Sequence, residues 1–166
     1  MSAKRYVLNA DNAAQKLHRM ALEIAENLSG DDTPLVLIGV RNSGTAIAEI
    51  IAGYVREYIF TEITVISVAL DKHEPDEVTL SVDINLNGKN IIVIDDVANS
   101  GKTLMYAMKP LLNFLPKRIQ TLVLVERMHK SFPVKPDYVG SSIATTSLDF
   151  IEVEVVDGKV AGAFIK

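Results

Sequence analysis

Apolar residues at Ala13, Leu17, Met20, Ala21, Ile24 and Leu28 recur at the three- and four-residue spacing of one helical face, which predicts a half-buried helix. Asp11 or Asn12 is its expected N-cap, and Gly30 its expected end. The pattern then changes. Leu35-Val36-Leu37-Ile38-Gly39-Val40 is an unbroken apolar run of strand length, as a parallel strand covered on both faces requires. Arg41-Asn42-Ser43-Gly44 reads as a polar loop, after which Ile47, Ala48, Ile50, Ile51, Tyr54 and Val55 restore helical spacing.

The same strand, loop and helix order returns later. Glu62 to Leu70 reads as a strand, Asp71 to Glu77 as a charged excursion interrupted by proline, and Val78 to Ile84 as a short strand before the turn signal Asn87-Gly88. Asn90 to Ile94 predicts a second buried strand, Asp95 to Lys102 a loop, and Thr103 to Phe114 a helix with Ala107, Met108, Leu111, Leu112 and Leu115 as its core series. Arg118 to Val125 predicts a fourth core strand. Ile151 to Val156, Asp157-Gly158 and Val160 to Ile165 predict a hairpin at a sheet edge. The alternation makes the fold class α/β.

Composition narrows the chemistry. With 166 residues, 48% of them hydrophobic, and no repeat or linker, one domain spanning 1–166 is expected. The chain has no cysteine, which excludes disulfides, thiolate zinc sites and a cysteine nucleophile. A net charge of -4 argues against broad nucleic-acid binding, whose energy comes from many Lys and Arg on phosphates. Lys130, Lys135 and Arg118 are the hints of a basic patch, and scattered solvated cations account for them. No run approaches the ~20 apolar residues of a membrane span, and Met1 to Tyr6 lacks a secretory apolar stretch, so no membrane association and a cytoplasmic location are expected.

The most informative stretch is Ile91-Ile92-Val93-Ile94-Asp95-Asp96-Val97-Ala98-Asn99-Ser100-Gly101-Lys102-Thr103. Adjacent carboxylates at the end of a buried strand repel each other and add nothing to stability, so a hydroxyl-rich ligand or a metal is their natural partner. Small and hydroxylic residues then lead into a helix, where free backbone N–H groups suit a phosphate. Ser100 and Thr103 add hydroxyl donors and Lys102 a charge. Acceptors for a sugar diol beside donors for a phosphate are what a ribose 5-phosphate group requires. Gly101-Lys102-Thr103 also matches the end of the P-loop pattern, but that pattern's first glycine would fall on Asp96, whose carboxylate would repel nucleotide phosphates.

Val93 to Thr103 resembles the signature that type I phosphoribosyltransferases use to bind phosphoribosyl pyrophosphate (PRPP), and Leu35 to Gly44 looks like their pyrophosphate loop. Leu124-Val125-Glu126-Arg127-Met128-His129-Lys130 and Pro136-Asp137-Tyr138-Val139-Gly140 resemble the branch of bacterial pyrimidine-operon regulators that double as uracil phosphoribosyltransferases. That branch typically shows Lys-Thr-Arg-Gly where this chain has Arg41-Asn42-Ser43-Gly44, so the arginine stands two positions earlier.

The resemblance implies a doubly wound, mainly parallel central sheet flanked by helices, with a small β-rich hood near the tail and ligand at the carboxyl ends of the strands. It implies Mg²⁺-dependent transfer from PRPP to a nucleobase, uracil before purines. Asp95 and Asp96 would take the ribose hydroxyls, and Ala98, Asn99, Ser100, Gly101, Lys102 and Thr103 would cradle the 5-phosphate. Arg41, Asn42, Ser43 and Gly44 would hold pyrophosphate with the metal, which Asp95 or Asp96 could also contact; Asp95, Asp96 and Arg41 would be the catalytic set. Arg127, His129, Ile143 and Ala144 would border the base, which relatives read largely through backbone groups, here in Ser141 to Ser147. The loop that closes over PRPP in relatives carries an Arg; Leu70 to Asn87 offers Lys72 and His73. A homo-oligomer is the family habit. The alternative is a nucleotide-sensing regulator that binds RNA, or a nucleotide-binding relative without turnover. The acidic residues around His73 (Asp71, Glu74, Asp76 and Glu77) read as a solvated charged loop rather than a metal site.

Overall fold

A computed structural model describes residues 4–71, 73–146 and 148–166, so Lys72 and Ser147 lie outside the described residues. The order is β1 (Arg5–Asn9), α1 (Ala10–Asn27), β2 (Leu35–Val40), α2 (Arg41–Val55), β3 (Ile63–Ala69), β4 (Thr79–Leu80), β5 (Asn90–Ala98), α3 (Lys102–Ala107), a 3-10 turn (Lys109–Asn113), β6 (Arg118–Arg127), β7 (Tyr138–Ile143), β8 (Ile151–Val156) and β9 (Lys159–Ile165). Among the described residues a six-stranded sheet runs β4-β3-β2-β5-β6-β7, parallel except where β4 meets β3. A separate antiparallel sheet, β1-β9-β8, forms the hood.

All six residues of β2 are buried, and alternation explains how. Leu35 and Leu37 join a core with α1 and α2, while Val36 and Ile38 join a second core with Leu104, Ala107 and Leu111 on the other face. The sheet is therefore covered on both sides, as a doubly wound fold requires. On α1, Leu17, Met20 and Ile24 are buried along one face, each worth roughly 1.5–3 kcal/mol of transfer free energy.

Several boundaries differ from the expectation. Asn9, not Asp11 or Asn12, caps α1, its side chain accepting from Asn12 N at 2.8 Å. Gly30 sits past the helix in a left-handed turn, φ +80°. No loop separates β2 from α2: Arg41 takes φ +52°, turning the chain within one residue, and the helix starts there. Nor do Asp95 and Asp96 open a loop, because β5 continues through Ala98. The expected strand from Val78 shrinks to Thr79–Leu80. The expected helix to Phe114 stops at Ala107, since Pro110 lacks an N–H and crowds the preceding turn. Leu112 and Leu115 are consequently 75% and 83% exposed rather than core. The tail hairpin joins β1 in the hood, with β8 at that sheet's edge and β9 in its middle, and β7 is an additional parallel strand.

The amino ends of the central strands are tied by Asp31. It accepts from Thr33 N at 2.9 Å, Asn90 Nδ2 at 3.1 Å and Lys117 Nζ at 3.1 Å. Hydrogen bonds from Thr33 first, then Asn90 and Lys117, hold its carboxyl well below the ordinary value of 3.8. A depressed folded pKa stabilises above the unfolded value and is lost as pH falls through the folded one. Asp31→Asn is thus expected to melt at a lower temperature near neutrality, and to lose less further stability than the parent as pH drops below about 4. Calorimetric melts across that range check it; parallel curves for the two proteins would contradict it.

Candidate functional site

The chain leaves β2 toward β3 on one side, then returns to build β5 on the other side of β2, so the connections diverge between β2 and β5. Crevices at the carboxyl ends of strands form at such switch points. Here a 210 Å³ cavity is bordered by Val40, Arg41, Asn42, Ser43, Asp95 and Asp96. A 300 Å³ cavity beside it is bordered by His73, Asp95, Val97 to Leu104 and Phe150. The two expected loops, 54 positions apart in their leading residues Arg41 and Asp95, are thus brought to one place.

Asp95 and Asp96 are 3% and 6% exposed. Successive strand side chains diverge, and Asp95 borders both cavities while Asp96 borders only the smaller of these two. Asp95 Oδ1 accepts from Asp96 N at 2.8 Å and Asp96 Oδ1 from Val97 N at 2.7 Å. Across the cavity, Arg41 Nε and Nη2 are buried with no hydrogen-bond partner among the described residues. Buried guanidinium N–H groups without acceptors are costly, and an anion is what would satisfy them. No side chain caps α2, so its first-turn N–H groups are likewise left for other acceptors. Gly44 lets this helix lie against β5: a Cβ there would sit 2.5 Å from Ile94 O.

The loop Asn99 to Gly101 turns on Gly101, φ +88°. It is backed from outside by Ser131 N and Phe132 N, which donate to Ser100 O at 3.0 and 3.1 Å. Ser100 Oγ accepts from Lys102 N at 3.2 Å. Three expected contributions are redirected. The expected helix is cut to the six residues of α3, so the backbone N–H groups expected to suit a phosphate are those of the loop before it. Lys102 Nζ donates to His73 O at 3.1 Å, tethering the charged excursion at the border of the cavity. Asn99 turns its side chain to the hood, bonding both backbone groups of Ile151.

The expected base residues fare differently. Arg127 Nε donates to Thr145 Oγ1 at 2.9 Å and Nη2 to Thr146 O at 3.2 Å, fixing the segment after β7. Asp149 accepts in turn from Thr146, whose hydroxyl and N–H hold that carboxyl below its ordinary value. Ile143 ends β7 and packs against the first core. His129 and Ala144 are exposed, and none of these four borders either cavity. Phe150, which does, was not singled out by the sequence: a lone aromatic before a strand carries no local signal.

Asp71 Oδ1 accepts from His73 N at 2.8 Å and Glu74 N at 3.2 Å, which lowers its pKa, with the charges of His73 and Arg41 adding to the effect. Among the described residues no group of three or more His, Asp or Glu is arranged to hold a metal. The two aspartates nonetheless suit Mg²⁺, which favours one or two carboxylates completed by phosphate and water oxygens. No helix among the described residues is long and apolar enough to cross a membrane.

Residues 6–157 match the family described as phosphoribosyl transferase domain. The bifunctional protein PyrR of Actinobacillus pleuropneumoniae serotype 5b (strain L20) is 31% identical over 160 residues, covering 90% of this chain and 89% of that protein. The protein of the same name from Limosilactobacillus fermentum is 32% identical over 161 residues, again covering 90% and 89%. Among solved structures, the hypoxanthine phosphoribosyltransferase of Trypanosoma cruzi aligns with a TM-score of 0.76 at 18% identity, over 86% of this chain and 83% of that one. A hypoxanthine-guanine phosphoribosyltransferase from Bacillus anthracis gives 0.71 at 23%, over 91% and 87%. At those identities the structures speak for the fold alone.

Proposed function

This chain belongs to the type I phosphoribosyltransferase family, and on that premise we propose that it transfers the phosphoribosyl group of PRPP to a nucleobase, with uracil as acceptor, releasing pyrophosphate. The observation that carries the reading is the Arg41 guanidinium, whose buried and unpartnered Nε and Nη2 border the same 210 Å³ cavity as Asp95 and Asp96. Anion donors face hydroxyl acceptors across a space at the sheet's switch point, and a pyrophosphorylated ribose has both features.

Asp95 and Asp96 accept the ribose hydroxyls, and N–H groups from Ala98 to Thr103, with the Ser100 and Thr103 hydroxyls, hold the 5-phosphate. Arg41 and the first-turn N–H groups of Asn42, Ser43 and Gly44 hold the leaving pyrophosphate. Bond breaking at the anomeric carbon develops positive charge on the sugar, which the carboxylates stabilise, so the protein works by positioning and electrostatics rather than through a nucleophile. Asp95 or Asp96 would share the Mg²⁺ that neutralises the diphosphate. Uracil is favoured by the likeness of Leu124 to Lys130 and Pro136 to Gly140 to the pyrimidine-regulator branch.

Incubating the purified protein with PRPP, Mg²⁺ and each free base, and measuring pyrophosphate release, tests this. Release with uracil alone is the expected result; release with purines alone would overturn the acceptor, and release with no base the transfer. Arg41→Ala is expected to slow release about 100-fold, as loss of a preorganised donor does. An unchanged rate would remove Arg41 from the site. The curated relatives are named bifunctional, which favours one second reading: a nucleotide-sensing RNA-binding regulator. A net charge of -4 counts against it, and titration with RNA at two salt concentrations decides it.

A further inference from the structure

Lys130 reads as a solvated cation in the sequence, yet its side chain is only 11% exposed, and that of Glu126, whose Oε1 accepts from Lys130 Nζ, only 14%. In every other ion pair among the described residues one side chain is at least 45% exposed, so this pair alone is shielded enough from solvent to hold a fixed geometry. Glu126 stands beside Ala98 of β5 and Ser142 of β7, and its Oε2 accepts from Ser142 Oγ at 3.1 Å. Neither Glu126 nor Lys130 borders the two cavities of the site.

What the pair does hold is the turn after β6. Ser131 N and Phe132 N, the next two residues along the chain, donate to Ser100 O at 3.0 and 3.1 Å. The stem of Lys130 lies against the same loop, since a Cβ on Gly101 would stand 3.6 Å from Lys130 Cδ. In a trans peptide the C=O of one residue and the N–H of the next point in opposite directions. With Ser100 O held by the turn, the Gly101 N–H is aimed away from it, and Ser100 and Gly101, not Ser131 or Phe132, border the 300 Å³ cavity. The turn thus sets the direction of a phosphate donor.

From this geometry we infer that Glu126 and Lys130 are positioning residues: their ion pair holds the turn after β6 against the phosphate loop and so keeps the loop's N–H groups set for a 5-phosphate before any ligand arrives. The inference rests on the phosphate site proposed above and deepens it. Donors fixed in advance bind more tightly because ordering them costs nothing at the moment of binding. Phe132 also packs edge-on against Tyr106 of α3, ring centroids 6.5 Å apart, so losing the ion pair loosens the turn without freeing it.

Calorimetric titrations with ribose 5-phosphate, and with pyrophosphate and Mg²⁺, separate this role from its rivals. Lys130→Met keeps the stem and removes the charge. It is expected to weaken ribose 5-phosphate about tenfold, the scale of one misaligned hydrogen bond to a charged group, and pyrophosphate, held by Arg41 and α2, less than about twofold. Glu126→Gln and the double variant are expected to show the same split and nearly the same loss, because each breaks the one interaction. Lys130→Arg, which can still reach the carboxylate, is expected to bind like the parent. A Lys130 that touched the phosphate itself would bind it as well or better once Glu126→Gln released it, so retained or tightened binding in Glu126→Gln overturns the inference. Equal loss for both ligands also overturns it, as a general loosening of the fold would give. Hydrogen exchange of the ligand-free protein reads the turn directly: the Ser131 and Phe132 amides are expected to exchange faster in Lys130→Met, and unchanged rates overturn the positioning role whatever the ligands do. A parent that binds pyrophosphate but not ribose 5-phosphate would instead overturn the phosphate site, with the exchange rates still deciding whether the pair holds the turn.

Discussion

Replacing Asp95 and Asp96 together by Asn is expected to lower PRPP affinity by at least about 100-fold while leaving the melting temperature equal or higher. Each carboxylate would lose a charge-assisted bond to a ribose hydroxyl, worth roughly 1.5–3 kcal/mol, and two such losses multiply in the binding constant. Stability moves the other way. The two carboxylates are adjacent and almost fully buried, and their mutual repulsion is a cost of the folded state. Asn is close in shape and keeps an oxygen for the bonds from Asp96 N and Val97 N. Calorimetric titration with PRPP and Mg²⁺, beside thermal melts of both proteins, separates the two effects. Retained affinity would take the aspartates out of the sugar site; a large fall in melting temperature would show that they serve the fold.

Gly44→Ala is expected to cost about 100-fold in pyrophosphate release together with roughly 1–3 kcal/mol of stability. Two effects compete at this position. Ala favours a helix over Gly by about 1 kcal/mol, which would stabilise α2. Against that, the new Cβ would stand 2.5 Å from Ile94 O and 3.3 Å from Asp95 Cα, and both are backbone atoms of a buried strand that cannot swing aside. Steric overlap wins, and α2 must back away from β5. Arg41, Asn42 and Ser43 move with it, away from Asp95 and Asp96, and a shift near 1 Å between groups that hold one substrate is enough for the loss of rate. Melting curves and release kinetics check this together. A variant as stable and active as the parent would show that the close approach has no bearing on the site.

Much of this arrangement is legible in the chain itself. Leu35 to Val40 and Asn90 to Ile94 announce buried parallel strands because covering both faces leaves no polar position. Asp95 to Thr103 stands out as a candidate ligand segment because acceptors, a glycine and hydroxyls stand side by side, within reach of one small molecule without help from the rest of the fold. Pro110 carried the end of α3 in plain view, although the apolar spacing through Leu115 argued for a longer helix.

Other features had no local trace. Arg41 takes a left-handed conformation where β2 turns directly into α2, and nothing about an arginine signals it. β1 becomes a strand because β9 lies beside it, and β7 because β6 offers an edge. Asn99 meets Ile151, and Phe150 borders a cavity with residues of the Asp95 to Thr103 segment, because the fold brings together positions about 50 residues apart in the chain. The sequence by itself therefore determined the α/β class and the main strands, since each depends on neighbours a few residues apart. Only the tertiary structure decided which groups face one another across the site, because the free energy of those contacts depends on distances that no local pattern of side chains encodes.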